Sequence, residues 1–252
     1  MINEFSVFRS IEKINDSTHL IKVYSPSIAA SARPGQFCNI KVSDNNFPLL
    51  RRPFSICDVN GDEIHFLFDI HGEGTRLLCN KKNGDTLDIL GPLGSGFEIE
   101  GDYGTAVIVA GGLGSAPFPF LIKKLPADKK IVSFVGGRSK DLVLTYGLKN
   151  VFMATDDGSD GFKGTVVELL KAELENFSKD KIRIFSCGPN PMLKALQLFS
   201  IQNNYDCQLS LESAMACGFG ICQGCPVESA DGESYLLVCK DGPIFNADQV
   251  KL

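Results

Sequence analysis

The sequence predicts three units in tandem: an antiparallel β-barrel over 1–100, a doubly wound parallel α/β sheet over 101–206, and a small cysteine-rich lobe over 207–252. Three observations predict them. Up to Glu100, short β-rich runs are separated by turn signals about every 10–15 residues, the grammar of a small antiparallel barrel. From Gly101, apolar runs alternate with helical segments, the grammar of a parallel sheet covered on both faces. From Cys207 neither pattern continues. Glycine and cysteine become dense in a stretch too short for its own apolar core, which calls for a staple.

In the first unit, Ser6 to Ile14, His19 to Tyr24, Gln36 to Val42, Phe54 to Val59, Glu63 to Ile70 and Thr86 to Leu90 read as strands. Pro34-Gly35, Asp44-Asn45-Asn46, Asn60-Gly61 and Asn83-Gly84-Asp85 punctuate them. One short helix starts near Gly74 and carries Leu77 and Leu78. In the second unit, Ala106 to Ala110 is a continuous apolar run ending in glycines, as expected of a buried parallel strand feeding a helix. Ile131 to Val135, Val151 to Ala154 and Ile182 to Ser186 repeat the pattern. Pro117 to Leu125, Thr165 to Phe177 and Pro191 to Gln202 read as helices. Val166, Leu169, Leu170, Leu174 and Phe177 share one face of the second. Pro191 suits the first turn of the third, with Asn190 as its cap.

Composition excludes several classes. With 252 residues, 44% of them hydrophobic, the chain can bury a substantial core. Its 25 basic and 30 acidic residues leave a net charge of −5 without any basic tract, which argues against nucleic acid or an anionic membrane as partner. Glu4, Arg9, Glu12, Lys13 and Asp16 interrupt the N-terminal residues, so no signal peptide is expected there. No run approaches the roughly 18 apolar residues of a membrane helix. A cytoplasmic protein is expected.

Nine cysteines sharpen the reading: Cys38, Cys57, Cys79, Cys187, Cys207, Cys217, Cys222, Cys225 and Cys239. An odd number without an export signal argues against a disulfide framework. Cys217-x4-Cys222-x2-Cys225, followed after thirteen residues by Cys239, is the ligand spacing of a plant-type [2Fe–2S] cluster. Four thiolates encircle two irons when the first three come from one tight loop. Gly218, Gly220 and Gly224 let the backbone make that loop and offer N–H groups to sulfur. The rival is a structural zinc site. It usually shows paired two-residue knuckles, whereas here Cys239 stands alone and the first gap is four residues. Cys38, Cys57, Cys79 and Cys207 read as small buried apolar residues.

Arg51-Arg52-Pro53-Phe54-Ser55-Ile56 opens a predicted strand. In extended chain Arg52 and Phe54 share one face and Ser55 the other. Arg52 can then neutralise a pyrophosphate while Phe54 packs beside a flavin and Ser55 reaches a ring edge. An Arg-Pro pair at a strand entry is also a common turn. Gly72-Glu73-Gly74-Thr75 precedes the short helix, whose N-terminal amides can hold phosphate. Val109 to Pro117, with Gly111, Gly112 and Gly114, is a strand–glycine loop–helix junction. It lacks the standard dinucleotide fingerprint, and no Lys-Ser/Thr pair follows, which excludes a Walker-type ATP site. Its plainer reading is a tight turn between strand and helix. Cys187-Gly188-Pro189 opens another helix after a buried strand. Two such loops at the carboxyl ends of parallel strands are where a doubly wound sheet binds nucleotide.

Gly136-Gly137-Arg138-Ser139-Lys140 leaves the second strand of that sheet. Arg138 and Ser139 would grip a 2′-phosphate, whereas Asp141 opposes one, and NAD is expected rather than NADP. His19 and His65 read as surface or satisfied core residues, and His71 as a residue that positions backbone. No acid–base catalyst is visible, and hydride transfer needs alignment rather than a general base. Nicotinamide exchanges two electrons as hydride and a [2Fe–2S] cluster exchanges one. A flavin is the carrier that links them, so the two outer signals predict the third.

In order, Arg52-Pro53-Phe54-Ser55, Gly72-x-Gly74-Thr75, Gly91-Pro92-Leu93-Gly94-x-Gly96-Phe97, Gly111-Gly112-x-Gly114, Cys187-Gly188-Pro189 and the C-terminal cysteines span nearly the whole chain. Together they resemble the ferredoxin reductase superfamily, in which a flavin barrel precedes a pyridine-nucleotide domain. Leu211-Glu212, Met215-Ala216-Cys217-Gly218 and Val238-Cys239-Lys240-Asp241-Gly242-Pro243-Ile244-Phe245 resemble more closely the electron-transfer subunits of type B dihydroorotate dehydrogenases. That resemblance implies FAD on Arg52, Pro53, Phe54, Ser55, Phe68, Asp69, Ile70, Gly74 and Thr75. It implies NAD at Gly111, Gly112, Gly114, Cys187, Gly188 and Pro189, and the cluster on Cys217, Cys222, Cys225 and Cys239.

The resemblance also implies a separate FMN-containing catalytic subunit that oxidises dihydroorotate in pyrimidine biosynthesis, in a heterotetramer with two of each chain. Electrons would pass from that FMN through the cluster and FAD to NAD. Leu113, where relatives often carry Ile, is a conservative departure. The alternative is a diaphorase subunit of a ferredoxin:NADP, hydrogenase or sulfite reductase complex, with the same cofactors and another partner. The Cys239 to Phe245 segment favours dihydroorotate. A zinc-stapled regulatory protein with a vestigial reductase fold is the rival from another class, and it would be colourless. Phe219, Ile221 and Pro226 beside the cysteines are expected to be exposed unless a partner covers them, which makes the lobe the expected docking face.

Overall fold

Six strands close into an antiparallel barrel in the computed structural model, which describes residues 1–43, 45–174 and 181–252. They are β1 (Ile2–Lys13), β2 (Thr18–Tyr24), β3 (Phe37–Lys41), β4 (Arg52–Asn60), β5 (Glu63–Asp69) and β6 (Thr86–Leu93), arranged in the order β1-β2-β5-β4-β3-β6. Alternation puts one face of each strand inside, so Phe8, Ile21, Ile40, Ile56, Phe66 and Leu87 meet in one core. β1 starts earlier and β6 runs further than the apolar pattern predicts, because Ile2 to Val7 and Thr86 to Gly91 pair through polar and glycine positions. The turn residue Asp44 lies outside the described residues.

A short helix, α1 (Pro26–Ser31), was not signalled by periodicity. Its start is supported from a distant strand: the Glu4 carboxylate accepts from the Ile28 N–H at 3.2 Å and from the Ser25 hydroxyl at 2.7 Å. The second short helix, α2 (Glu73–Cys79), stands where Gly74 signalled it.

The second unit supplies β7 (Thr105–Gly111), β8 (Lys130–Gly137), β9 (Val151–Thr155), β10 (Phe162–Lys163) and β11 (Ile182–Cys187). Its helices are α3 (Phe118–Lys124), α4 (Val166–Leu174) and α5 (Asn190–Gln202). On one face of the sheet Phe118 and Leu121 of α3 pack on Ala106 and Ile108. On the other, Leu170 of α4 and Leu193 of α5 pack on Val107 and Val109. The sheet is therefore doubly wound. α4 begins with a reciprocal cap, in which the Thr165 N–H donates to the Glu168 carboxylate at 2.7 Å and the Glu168 N–H to the Thr165 hydroxyl at 3.2 Å. Of the predicted α4 face, Phe177 lies outside the described residues.

Two local expectations are corrected. Asn190 does not cap α5; it is already helical, and Pro189 occupies the cap position in extended backbone. The Pro189 carbonyl accepts from the Met192 and Leu193 N–H groups and starts the helix without a side chain. The change of pattern placed at Cys207 falls later. β12 (Asp206–Ser210) continues the parallel sheet beside β11, and its Cys-Gln-Leu-Ser run is too weakly apolar to announce a strand without that partner.

Beyond Leu211 come β13 (Pro226–Ser229), β14 (Tyr235–Leu237), β15 (Ile244–Asn246) and β16 (Val250–Lys251). β15 pairs antiparallel with β12 and completes a sheet in the order β10-β9-β8-β7-β11-β12-β15. The others form a three-stranded sheet in the order β14-β13-β16.

The three parts are in contact. Leu20, Cys57 and Leu67 of the barrel pack against Ala116 and Leu144 of the parallel-sheet unit. The barrel's exit passes against the lobe, where the Ser95 N–H donates to the Gly242 carbonyl at 2.6 Å. A Cβ on Gly94 would come within 2.6 Å of that same oxygen, so this close passage requires the glycine. Among the described residues no helix is long and apolar enough to cross a membrane.

Candidate functional site

Cys217, Cys222 and Cys225 lie on the irregular loop before β13, and Cys239 follows β14. The loop turns through Gly218 and Gly220, at φ of 83° and 93°. Left-handed backbone there aims successive N–H groups inward. The Cys217 sulfur receives the Phe219 and Cys222 N–H groups, each at 3.5 Å, and the Cys225 sulfur receives the Cys239 N–H at 3.4 Å. Burial works to raise the Cys217 pKa, but the Cys222, Phe219 and Ile221 N–H groups and the Cys222 thiol outweigh it and lower it to about 6. At Cys239 burial, then the neighbouring Cys225, raise the pKa to about 12.

Backbone hydrogen bonds link the cysteines two by two, the Cys222 N–H to the Cys217 sulfur and the Cys239 N–H to the Cys225 sulfur. Among the described residues no three Cys, His, Asp or Glu side chains are grouped as ligands of one metal ion. Two such linked cysteines for each of two tetrahedral irons are what a [2Fe–2S] cluster takes from its four ligands. The donor set therefore fits a [2Fe–2S] cluster.

In the barrel, β4 presents Arg52 and Phe54 as the alternation predicts. Arg52 lies against the start of α2, where a Cβ on Gly74 would come within 3.0 Å of its Nε and 3.3 Å of its Cγ. The separate signals at Arg52 and Gly74 are therefore brought together. Phe54 is buried and meets the Phe68 ring edge-on at 5.7 Å between centroids, while His19 stacks on Phe68 at 6.2 Å. Asp69 accepts a 2.6 Å hydrogen bond from the Thr18 hydroxyl. Thr75 accepts from the main-chain N–H of His71 at 2.6 Å. Ser55 is half-buried, and Pro53 and Ile70 are exposed. A guanidinium at a glycine cradle, next to aromatic and exposed apolar side chains, fits a flavin nucleotide.

A cavity of about 470 Å³ opens between barrel and parallel sheet. Thr18 and Asp69 form its barrel side, and Gly111, Gly112 and Pro189 its sheet side. The end of the predicted flavin strand and the predicted nicotinamide loops therefore face one space, as hydride transfer requires. Gly114, Cys187 and Gly188 stand behind the wall, where they let the two loops touch. A Cβ on Gly188 would meet the Gly111 N at 3.0 Å, and one on Gly114 would meet the Gly188 Cα at 2.7 Å. Cys187 is 1% exposed, and burial followed by the nearby Glu212 charge raises its pKa to about 12. Glu212 reaches solvent in part, yet its carboxyl is packed closely enough for burial to raise its pKa.

Several wall residues were not anticipated. Asp156 follows the end of β9, and its N–H donates to the Gly137 carbonyl at 3.1 Å. Its position after a buried strand was the available signal. Asn15, Ser17 and Thr18 reach the cavity because the barrel packs on the sheet, and nothing local announces that. Arg138, Asp141 and Asp156 share the wall, so the charge there is net acidic and disfavours a 2′-phosphate. Two other expectations are corrected. His65 is buried at 6% exposure and, among the described residues, neither ring nitrogen is hydrogen-bonded, the Glu63 carboxylate standing 3.9 Å from Nε2; burial lowers its pKa. Cys79 is half-buried, since it ends α2 near the surface, whereas Cys38, Cys57 and Cys207 are buried as expected.

Comparison with known proteins agrees with this geometry. A family model described as the iron–sulfur cluster binding domain of dihydroorotate dehydrogenase B matches residues 212–251. The chain is 43% identical over 221 residues to the dihydroorotate dehydrogenase B (NAD(+)) electron transfer subunit of Caldanaerobacter subterraneus subsp. tengcongensis, covering 86% of each chain. It is 39% identical over 257 residues to the protein of the same name from Bacillus velezensis, covering 97% of each. Among solved structures, it is similar to an NADH-dependent reduced ferredoxin-NADP oxidoreductase studied for flavin-based electron bifurcation. That likeness has a TM-score of 0.86 and 29% identity over 98% of this chain and 90% of the other. The ferredoxin reductase of carbazole 1,9a-dioxygenase shares the fold, with a TM-score of 0.67 and 21% identity over 82% of this chain and 68% of that one.

Proposed function

The chain belongs to the family of dihydroorotate dehydrogenase B (NAD(+)) electron transfer subunits, and from that premise we propose which of its residues carry each part of the work. It is an oxidoreductase subunit with FAD and a [2Fe–2S] cluster as cofactors and NAD as substrate. When bound, the cluster exchanges single electrons, nicotinamide exchanges a hydride, and the flavin does both, which connects dihydroorotate oxidation on a catalytic partner to NAD.

Residues 1–100 form the flavin unit and the stretch from 101 the nucleotide unit, whose sheet takes in β12 and β15, and the cluster lobe expected from 207 begins beyond Leu211. Cys217, Cys222, Cys225 and Cys239 hold the cluster in two pairs, and the N–H groups aimed at Cys217 favour its thiolate. Arg52 neutralises the FAD pyrophosphate beside Gly74 and Thr75. Phe54, Ser55, Phe68 and Ile70 contact the flavin, and Asp69, its carboxylate fixed by Thr18, lies where the flavin segment meets the cavity. Gly111, Gly112 and Pro189 contact NAD directly, while Gly114, Cys187 and Gly188 set the spacing of its loops. The chain contributes no acid–base group to the pyrimidine step. Its task is to bind, align and exclude water.

The partner is an FMN-containing dihydroorotate dehydrogenase subunit, assembled as two of each chain, and it covers the cluster loop. Phe219 and Ile221 are 36% and 76% exposed around the exposed Cys222. Apolar side chains this open beside a redox site mark a docking face. The diaphorase alternative shares the scaffold, but the likeness along the chain runs to the dihydroorotate dehydrogenase B subunits.

The paired cysteines carry this reading above any other observation. Its test is co-purification of the chain with its native partner, assaying iron, flavin and partner identity in one sample. An FMN-containing partner whose complex reduces NAD with dihydroorotate is expected. One zinc and no flavin would overturn it.

A further inference from the structure

Asn39 breaks the local rules of the strand it occupies. It sits inside β3, is 1% exposed, and has an Oδ1 without a hydrogen-bond partner among the described residues. Asparagine is depleted in strands, and an unsatisfied buried acceptor is costly. Side chains that break such rules without a gain in packing mark functional positions.

Its one hydrogen bond leads to the cluster loop: Nδ2 donates to the carbonyl of Cys217 at 3.2 Å. Gly218 makes the approach possible, since a Cβ there would overlap the same amide nitrogen and lie 3.0 Å from Asn39 Cγ. On its other side Asn39 belongs to the flavin segment. In the β3–β4 register Asn39 stands opposite Pro53, Cys38 opposite Phe54 and Phe37 opposite Ser55. A single buried side chain thus connects the backbone of a cluster ligand to the strand pair that carries the flavin residues.

We propose that Asn39 is a positioning residue for electron transfer, holding the Cys217 loop at a fixed separation from the Arg52–Ser55 segment through its hydrogen bond to the Cys217 carbonyl. This rests on the cofactor assignment proposed above. The step it serves moves one electron and no atoms. Two such electrons, with one proton, account for each NAD reduced, and dihydroorotate oxidised on the partner supplies them. A fixed hydrogen bond in place of a mobile contact keeps the separation constant.

The test uses the complete complex with its catalytic partner, comparing wild type with Asn39→Leu and Asn39→Asp, both close to asparagine in shape. Iron and flavin content, the reduced-cluster EPR spectrum and the rate of cluster reduction after NADH is mixed in are read on each. Both variants are expected to keep iron and flavin and to shift the reduced-cluster EPR spectrum. They should slow cluster reduction about fivefold or more, the scale of one lost net hydrogen bond. Wild-type spectrum and rate in both variants would overturn the proposal. So would loss of iron from both with flavin retained, which would make Asn39 a structural clamp only. A wild-type complex lacking iron or flavin would overturn the cofactor assignment together with this proposal.

Discussion

Replacing Gly114 by alanine isolates the contribution of the nucleotide loops. A Cβ there would lie 2.6 Å from the Cys187 carbonyl carbon and 2.7 Å from the Gly188 Cα, with the Cys187 carbonyl oxygen closer still. Ordinary contact begins near 3.4 Å, so the two loops must separate by close to an ångström. Every opposing atom is backbone, so no rotamer change relieves the clash. Overpacking of this kind costs about 1–3 kcal/mol, which lowers Tm by a few degrees in a chain of this size. The larger effect falls on alignment. Gly111 and Pro189, which wall the cavity, move with the loops, and a misplacement of about 1 Å costs a hydride transfer roughly 100-fold. The assay is stopped-flow reduction of the flavin by NADH in the intact complex, with the visible spectrum confirming that cluster and flavin are present. Reduction at the wild-type rate by a fully loaded Gly114→Ala protein would refute the assignment of these loops to the nucleotide.

Arg52→Ala removes the guanidinium packed at Gly74 and should weaken FAD retention about 10- to 100-fold, the scale of a lost hydrogen bond to a charged group; flavin fluorescence on dilution reads it. Cys239→Ala removes one member of a thiol pair and should abolish iron retention while leaving flavin and its reduction by NADH intact, as metal analysis and NADH-driven bleaching will report. His65 is held neutral by burial, with its folded pKa below 6.5. Below that value the unfolded chain binds the proton more readily, so stability is complete above about pH 6.5 and declines as the pH falls. Thermal melts between about pH 7 and pH 5 should show this decline in wild type and a shallower one in His65→Phe.

The sequence makes the architecture legible because each unit has its own periodicity. β6 alternates along its length and β7 is a continuous apolar run, and such patterns survive without tertiary information. α1 was not legible because its support comes from Glu4, more than twenty residues away. β12 was missed for a related reason: Cys207 and Leu209 are its only apolar residues, and its strand character comes from β11. The cluster ligands were legible because spacing alone encodes them. What spacing does not encode is the pairing of the thiols, or the amide of Asn39 beneath Cys217, a contact between positions 178 residues apart. The cavity was half legible. Its glycine loops announce themselves at strand ends, whereas Thr18 becomes a wall residue only when the barrel packs on the sheet.

The most direct test of this chain as a conductor between a nicotinamide site and a paired-cysteine cluster is an anaerobic titration of the intact complex with NADH, followed together by visible absorption and EPR. The account predicts that NADH bleaches the flavin and brings up the signal of one reduced [2Fe–2S] cluster for each copy of this chain. A bleached flavin with no cluster signal, or a metal analysis returning a single zinc, would contradict it.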